Sequence, residues 1–118
     1  MAWNDSSQAA GETGALVAKT LTALAKVVAT AGTGVPLVAS ETFTRKVWLS
    51  AGKVGGANTG IVYLGTSTVD KTTDQQMPLA PGDVIVVEMP PGTKLDLATM
   101  YVDAATSSDA VTGWYIPA

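Results

Sequence analysis

The side chains of this chain that could do chemistry are carboxylates and lysines, because the sequence contains neither histidine nor cysteine. Without histidine there is no ligand set of the cupin kind for Fe, Mn, Ni or Zn, and no Ser-His-Asp or Cys-His arrangement. Without cysteine there is no thiolate nucleophile and no Cys-based zinc site. The sequence therefore predicts no metal or cofactor site, and it leaves only carboxylates and lysines for catalysis.

A pair of carboxylates of the glycosidase type is the catalytic possibility that remains. The candidates are Asp70, Asp74, Asp83 and Glu88. Each lies at a predicted turn or on the polar side of a predicted strand, where solvated carboxylates are ordinary. In "PLAPGDVIVVEM", residues 78–89, we therefore interpret Asp83 as a turn residue before a sheet strand rather than as a ligand.

The charge pattern and the start of the chain bear on possible partners. The formal net charge is −3 and the seven Lys and Arg residues are scattered, so there is no basic stripe to neutralise a phosphate backbone. The start "MAWNDSSQAAGETG" lacks the regions of a secretory signal, and no apolar run approaches the roughly 20 residues of a membrane-spanning helix. We expect a soluble, unprocessed protein that binds neither nucleic acid nor membrane.

Two regions are predicted along the chain. Residues 1–24 form an N-terminal arm: its first part is small and polar, and cannot bury enough surface to order itself. Val17, Leu21, Leu24 and Val28 recur at helical spacing, which predicts a short amphipathic helix at the end of the arm. The β-branched and glycine-broken stretch that follows favours a first strand after about Ala25. Residues 25–118 are thus the second region, a β-domain.

Short alternating strands separated by Gly, Pro, Ser and Asp dominate the second region. In "TRKVWLSAG", Val47 and Leu49 alternate with Lys46, Trp48 and Ser50, and "VGGAN" suits a turn that needs positive φ. The fold class predicted is mainly β: a single antiparallel β-sandwich, jelly-roll-like or a small barrel. Further predicted strands are "TGIVYLGTS", "GDVIVVEM", "ATMYVDAA" and "TGWYIPA".

The aromatic residues of the predicted strands admit two interpretations. They could form a platform on which sugar rings stack, since an aromatic ring offers an apolar face and Trp or Tyr also offers a polar edge. Packing in the core or at a subunit interface is the more common use of such residues. The set comprises Trp48, Tyr63, Tyr101, Trp114 and Tyr115.

An ordered set of segments resembles the small β-sandwich virion proteins of tailed bacteriophages. In that family, a strand that begins with a basic residue leads to an N-T-G-x-(V/I)-Y-(V/L)-G hairpin, a P-L-x-(P/A)-G turn, a Y-V-D-A strand and a final aromatic strand. The resemblance covers residues 26–116, in the same order. The segments that carry it are "RKVWLSAG", "ANTGIVYLG", "MPLAPGDVIVVEM" and "TMYVDAATSSDAVTGWYI".

The resemblance implies a structural role without catalysis. It implies a capsid decoration or cement protein, made in the host cytoplasm, that binds the outer surface of the capsid lattice in the virion and stabilises it. The partner would be the major capsid protein or another virion protein, and the chain itself a homo-oligomer, either a trimer or a dimer. The alternative is a β-domain of a head fibre or tail appendage that binds carbohydrate. Few charges and much Ala, Thr, Ser, Gly and Val favour packing against neighbours.

The arm supplies the residues that we predict to contact the capsid or a neighbouring subunit. A segment with one tryptophan followed by an apolar ridge is what a docking element needs if it orders only on its partner. The alternative is that the ridge covers an open end of the protein's own sandwich. The predicted contact residues are Trp3, Leu16, Val17, Leu21 and Leu24.

Overall fold

The computed structural model describes residues 20–118, which form antiparallel strands with one short 3-10 helix, Leu97–Thr99. The mainly β class predicted from the sequence is confirmed. The strands are β1 Thr22–Val27, β2 Val35–Pro36, β3 Phe43–Ser50, β4 Gly52–Lys53, β5 Gly56–Ala57, β6 Val62–Gly65, β7 Met77–Leu79, β8 Val84–Glu88, β9 Leu95–Asp96, β10 Tyr101–Ala104 and β11 Ala110–Pro117.

The first sheet is built around β3. One side of β3 pairs with β11, which in turn pairs with β1, and the other side pairs with β9 near its start and β8 near its end. The register between β3 and β11 shifts near Arg45, where Ile116 pairs with Lys46 and Pro117 with Thr44. The buried Thr44 hydroxyl lies 2.8 Å from the Ile116 carbonyl oxygen and satisfies this irregular point of the ladder.

The second sheet has the strand order β2, β10, β6, β7, and all three of its pairings are antiparallel. A separate small hairpin joins β4 to β5 through Val54 and Gly55. Gly55 has a φ of +78°, which confirms that this connection needs a residue tolerant of the left-handed region. The hairpin follows β3 directly and so lies at one end of the first sheet.

Both sheets contribute to one cluster of buried apolar side chains. Val47 and Leu49 of β3 enter it from the first sheet, while Leu64 of β6 and Val102 of β10 enter it from the second. The alternation predicted for β3 is therefore confirmed. In β8, Ile85 and Val87 pack against the same cluster, and the strand's other residues face outward.

The prediction that helix extends to about residue 24 is wrong for the residues that the structure describes. Thr22–Val27 is a strand, paired with β11 along its whole length, and Leu24 is a core residue only 7% exposed. Pairing with a long neighbouring strand outweighs the helical spacing of the leucines, because tertiary contacts routinely override propensity. The boundary placed between residues 24 and 25 thus falls inside β1, and residues 1–19 lie outside the described part.

Candidate interaction surface

The outward side of the first sheet carries an exposed apolar surface, which we call the tryptophan face: Trp48, Trp114, Val84 and Val86. Trp48 pairs with Trp114 on one side and with Val86 on the other, so these three side chains form a row across three strands. Trp114 is 49% exposed, Val84 62% and Val86 50%. Apolar residues that are adjacent and exposed together, unlike scattered ones, mark a surface suited to contact with another molecule.

The two tryptophan rings are in contact, with centroids 6.3 Å apart and planes inclined by 47°. The Lys46 ammonium lies over the Trp48 ring, 5.0 Å from its centroid, and pairs with the Glu88 carboxylate at 3.7 Å. The ammonium is attracted by the π electrons of the indole ring, which favours this position of Trp48, while the Glu88 carboxylate lies beside the ammonium rather than the ring. One end of the tryptophan face is therefore charged, while its middle is apolar.

A groove of about 480 Å³ runs beside Trp114 on the side of β1. Ala23 of β1 pairs directly with Trp114, and its small side chain leaves open space next to the indole ring. Val54, at the tip of the β4–β5 hairpin, lines the groove as well. A second, smaller hollow of about 150 Å³ lies between Trp114, Trp48 and Val84. Trp114 thus stands between two recesses that an apolar side chain of a partner could fill.

The Asn-Thr-Gly segment at residues 58–60 is fixed to the start of β11 by a buried carboxylate and a buried amide. Asp109 accepts hydrogen bonds from the N–H groups of Thr59 and Gly60, both at 2.8 Å. Asn58 donates to the Ala110 carbonyl and accepts from the Ala110 N–H, as a neighbouring strand would. Buried polar groups require hydrogen-bond partners, and Asn58 and Asp109 provide them for the backbone of this segment and of β11. The Asn-Thr-Gly segment therefore has a structural role.

Asp109 is ionised in a buried position. Burial alone would raise its pKa, but the N–H groups of Thr59 and Gly60 and the ammonium of Lys53, 3.6 Å away, more than offset this effect. The pKa of Asp109 is therefore held below its ordinary value of 3.8. A group whose pKa is depressed by folding stabilises the folded state above its unfolded-state pKa and ceases to do so as the pH falls through the folded-state value.

We expect Asp109→Asn to lose stability at neutral pH and to flatten the acid dependence of the free energy of unfolding. The wild-type value should decline as the pH falls below about 4, and the variant should decline less, because it lacks the carboxylate that must be protonated. Urea unfolding measured from neutral pH to about pH 2.5 tests this expectation. Asp70, whose pKa is also lowered, is present in both proteins, so equal slopes would contradict the role of Asp109.

A second buried carboxylate, Asp103 on β10, holds two loops against the second sheet. Its oxygens accept hydrogen bonds from the backbone N–H groups of Gly32 at 2.9 Å, Ala104 at 2.8 Å and Lys71 at 2.7 Å. The side chain is fully buried. The aspartate of "YVDA" is therefore a structural residue, like the Asn-Thr-Gly segment.

The carboxylates considered for catalysis occupy turns and an outer strand face. Asp83 accepts the N–H of Ala80 at 2.9 Å and closes a turn in which Gly82 has a φ of +88°, as expected for a turn residue. Asp70 accepts the N–H groups of Thr72 and Thr73. Glu88 faces outward beside Lys46. Within residues 20–118, no group of three or more His, Cys, Asp or Glu could hold a metal ion.

The five predicted contact residues differ in whether the structure describes them and in how exposed they are. Trp3, Leu16 and Val17 lie outside the described residues. Leu21 is half-exposed next to β1, whereas Leu24 is buried in the chain's own core and so is not available to a partner. The correction for Leu24 follows from the strand: alternate residues of β1 point inward, and Leu24 is one of them.

Sequence reasoning did not single out the aliphatic part of the tryptophan face. The signal was present in "VIVV", residues 84–87. Successive residues of a strand point to opposite faces, so a continuous apolar run in an edge strand places apolar side chains on both faces. Of the five aromatic residues considered as a platform, Tyr63 is buried, Tyr115 packs against the core, and Tyr101 is partly buried on the second sheet. The half-exposed Trp114 and the partly buried Trp48 remain as a contacting pair on the first sheet.

Two further findings bear on the identity of the chain and its surroundings. No protein-family model, curated protein or solved structure matches it. No helix among the described residues is long and apolar enough to cross a membrane.

Proposed function

We propose that this chain is a structural protein of a tailed-bacteriophage virion, a decoration or cement protein that binds the outer surface of the capsid lattice and stabilises it without catalysis. Its two sheets would be the layers of a β-sandwich, since both contribute to one core. The chain would act as a homo-oligomer, a dimer or a trimer, bound to the major capsid protein or another virion protein.

The observation that carries this proposal is the tryptophan face. A side chain as large as Trp114 left half-exposed beside two exposed valines costs free energy in water, and this cost is recovered when a partner covers them. Tryptophan is also among the residues that dominate the energetics of protein interfaces. An apolar sheet face with charges confined to one end suits lasting contact with a protein neighbour.

The buried polar residues support a structural role as well. Asp103, Asp109 and Asn58 each bind backbone groups of neighbouring segments, which leaves them engaged in holding loops in place. These residues belong to the segments that resemble the phage proteins. A small domain whose loops are fastened in this way keeps its surfaces in fixed positions, and fixed surfaces lose little conformational freedom when they bind.

We expect Trp114→Ser to weaken the binding of this protein to phage particles that lack it by about 30-fold, because an interface tryptophan commonly contributes about 2 kcal/mol. Co-sedimentation of purified protein with particles over a concentration series gives the affinity. Met77→Ser on β7 is the matched control, since Met77 is exposed to a similar degree, 48%, on the other sheet. Equal binding by the Trp114→Ser variant and the wild type would contradict the proposed contact.

A carbohydrate-binding role on a head fibre or tail appendage is the second candidate, and the contact between the exposed Trp114 ring and Trp48 is the observation that favours it. Sugar rings stack on aromatic faces, and the Lys46–Glu88 pair beside Trp48 could bind sugar hydroxyls. A glycan panel read by tryptophan fluorescence tests this role. Unchanged fluorescence with every glycan would exclude it for the glycans tested.

A further inference from the structure

Strand β8 is an edge of the first sheet, and within residues 20–118 it pairs with β3 alone. The Met89 N–H, directly after β8, donates to the Arg45 carbonyl oxygen at 2.8 Å, so the backbone of residue 89 faces β3. Backbone groups alternate in direction along a strand, so every second residue of β8 points its N–H and C=O away from β3. These residues are Val84, Val86 and Glu88.

The other edge strands contain features that hinder pairing with a further strand. β1, at the opposite edge of the first sheet, contains Lys26, and β9, on the same side of β3 as β8, is only two residues long. The edges of the second sheet, β2 and β7, contain Pro36 and Pro78, which have no N–H to donate. Lysine, proline and shortness are the usual means of preventing sheets from joining. β8 has none of these features, and its sequence is VIVVE.

We propose that β8 pairs antiparallel with β8 of a second copy of this chain, about a two-fold axis at Val86, so that the two first sheets join into one. In this register Val86 lies opposite Val86 of the second copy, and Val84 lies opposite its Glu88. The outward N–H and C=O groups of both strands then all have partners. The two Glu88 carboxylates are about 14 Å apart along the strands, so like charges do not face each other.

The side chains of β8 fit this pairing on both faces of the joined sheet. On the outer face, the two Val86 side chains become neighbours, and the row formed by Trp114, Trp48 and Val86 continues into the second copy. On the inner face, Ile85 and Val87 line a groove of about 320 Å³ between the two sheets. Val87 of the second copy lies opposite Ile85 and so covers this apolar groove.

The pairing accounts for a dimer and for no larger assembly. Two-fold pairing occupies the outer side of both β8 strands, and the remaining edges are hindered, so the assembly closes at two copies. The inference deepens the homo-oligomer of the proposed function and rests on it in that respect. Trp114 lies two strands away from the new contact and remains exposed for another partner.

Light scattering coupled to size-exclusion chromatography tests the pairing in the full-length chain. We expect the wild type to have twice the mass of one chain. Val86→Lys places two ammonium groups directly opposite each other, which is destabilising, so the mass should fall twofold. Val27→Lys is the matched control: Val27 is 51% exposed against 50% for Val86 but lies on β1, so this variant should keep the wild-type mass. Circular dichroism checks that both variants are folded.

Hydrogen exchange of the wild type, resolved by residue, locates the contact without a substitution. The amides of Ile85 and Val87 face β3 and are protected in the monomer and the dimer alike. The amides of Val84, Val86 and Glu88 are protected only if a further strand accepts them. We expect these three amides to exchange about tenfold more slowly in the dimer than after dilution to the monomer.

Three results would overturn the inference. They are a wild-type mass other than that of two chains, a folded Val86→Lys variant that keeps the wild-type mass, and a dimer whose outward β8 amides exchange as fast as in the monomer. If Val86→Lys does not fold, the exchange measurement decides. Particle binding is measured separately: a monomer that binds particles would contradict the pairing alone, and a dimer that does not bind them would contradict the proposed function alone.

Discussion

Replacing Gly113 with alanine is expected to lower the free energy of unfolding by about 3 kcal/mol or more, because β11 and β3 approach too closely there for a side chain. An added Cβ at residue 113 would overlap the Trp48 carbonyl group and lie 3.2 Å from the Cα of Leu49. These are backbone atoms of the central strand, which cannot move aside as a flexible side chain could. The two strands would have to separate where β11 also pairs with β1.

Gly56→Ala is the matched control for this prediction. An added Cβ at residue 56 meets only the Cγ of Lys53, at 4.0 Å, so the same chemical change should have a small effect. Urea unfolding followed by circular dichroism gives both free energies. Equal free energies of unfolding for Gly113→Ala and Gly56→Ala would contradict the close approach of β3 and β11 at Gly113. If Gly113→Ala does not fold at all, the prediction holds in its stronger form.

The second large effect is expected for Asp103→Ala, which should lower the free energy of unfolding by about 4 kcal/mol. Three backbone N–H groups, those of Gly32, Lys71 and Ala104, would lose their acceptor. A buried donor without a partner costs about 1 to 3 kcal/mol. The loops containing Gly32 and Lys71 would also lose the group that connects them to the second sheet.

Two further variants isolate the role of the Asp103 carboxylate. Asp103→Asn keeps one acceptor oxygen but turns an NH₂ group towards a donor, so we expect an intermediate loss of about 2 kcal/mol. Asp83→Ala removes an exposed carboxylate that accepts a single N–H, from Ala80, and should cost about 1 kcal/mol or less. If Asp103→Ala and Asp83→Ala have the same stability in urea, the importance of the buried carboxylate is contradicted.

The strands were predictable from the sequence where one local pattern decides them. Alternation around Val47 and Leu49 identified the inward side of β3, and Pro81-Gly82 identified the turn before β8. Both signals depend on neighbouring residues alone, through the period of two in a strand and the φ preferences of proline and glycine.

The remaining features depend on residues that are distant in sequence. Leu24 has helical spacing with Leu21 and Val28, and only pairing with β11 makes the segment a strand. From the sequence alone, the aspartate between Val102 and Ala104 is expected to be solvated. In the structure it is buried, because the loops at Gly32 and Lys71 cover it and donate hydrogen bonds to it. Alternation likewise did not reveal that Trp114, Val84 and Val86 share an uncovered face, because strand order decides which residues become neighbours.

The proposed function requires a phage that encodes this chain, and its most direct test is the composition of the purified virions of such a phage. Quantitative mass spectrometry of gradient-purified particles gives its copy number relative to the major capsid protein. We predict a copy number of the same order as that of the capsid protein, as expected for a component that covers the lattice. A few copies per particle would favour the fibre or appendage instead, and absence from purified particles would contradict a structural role in the virion.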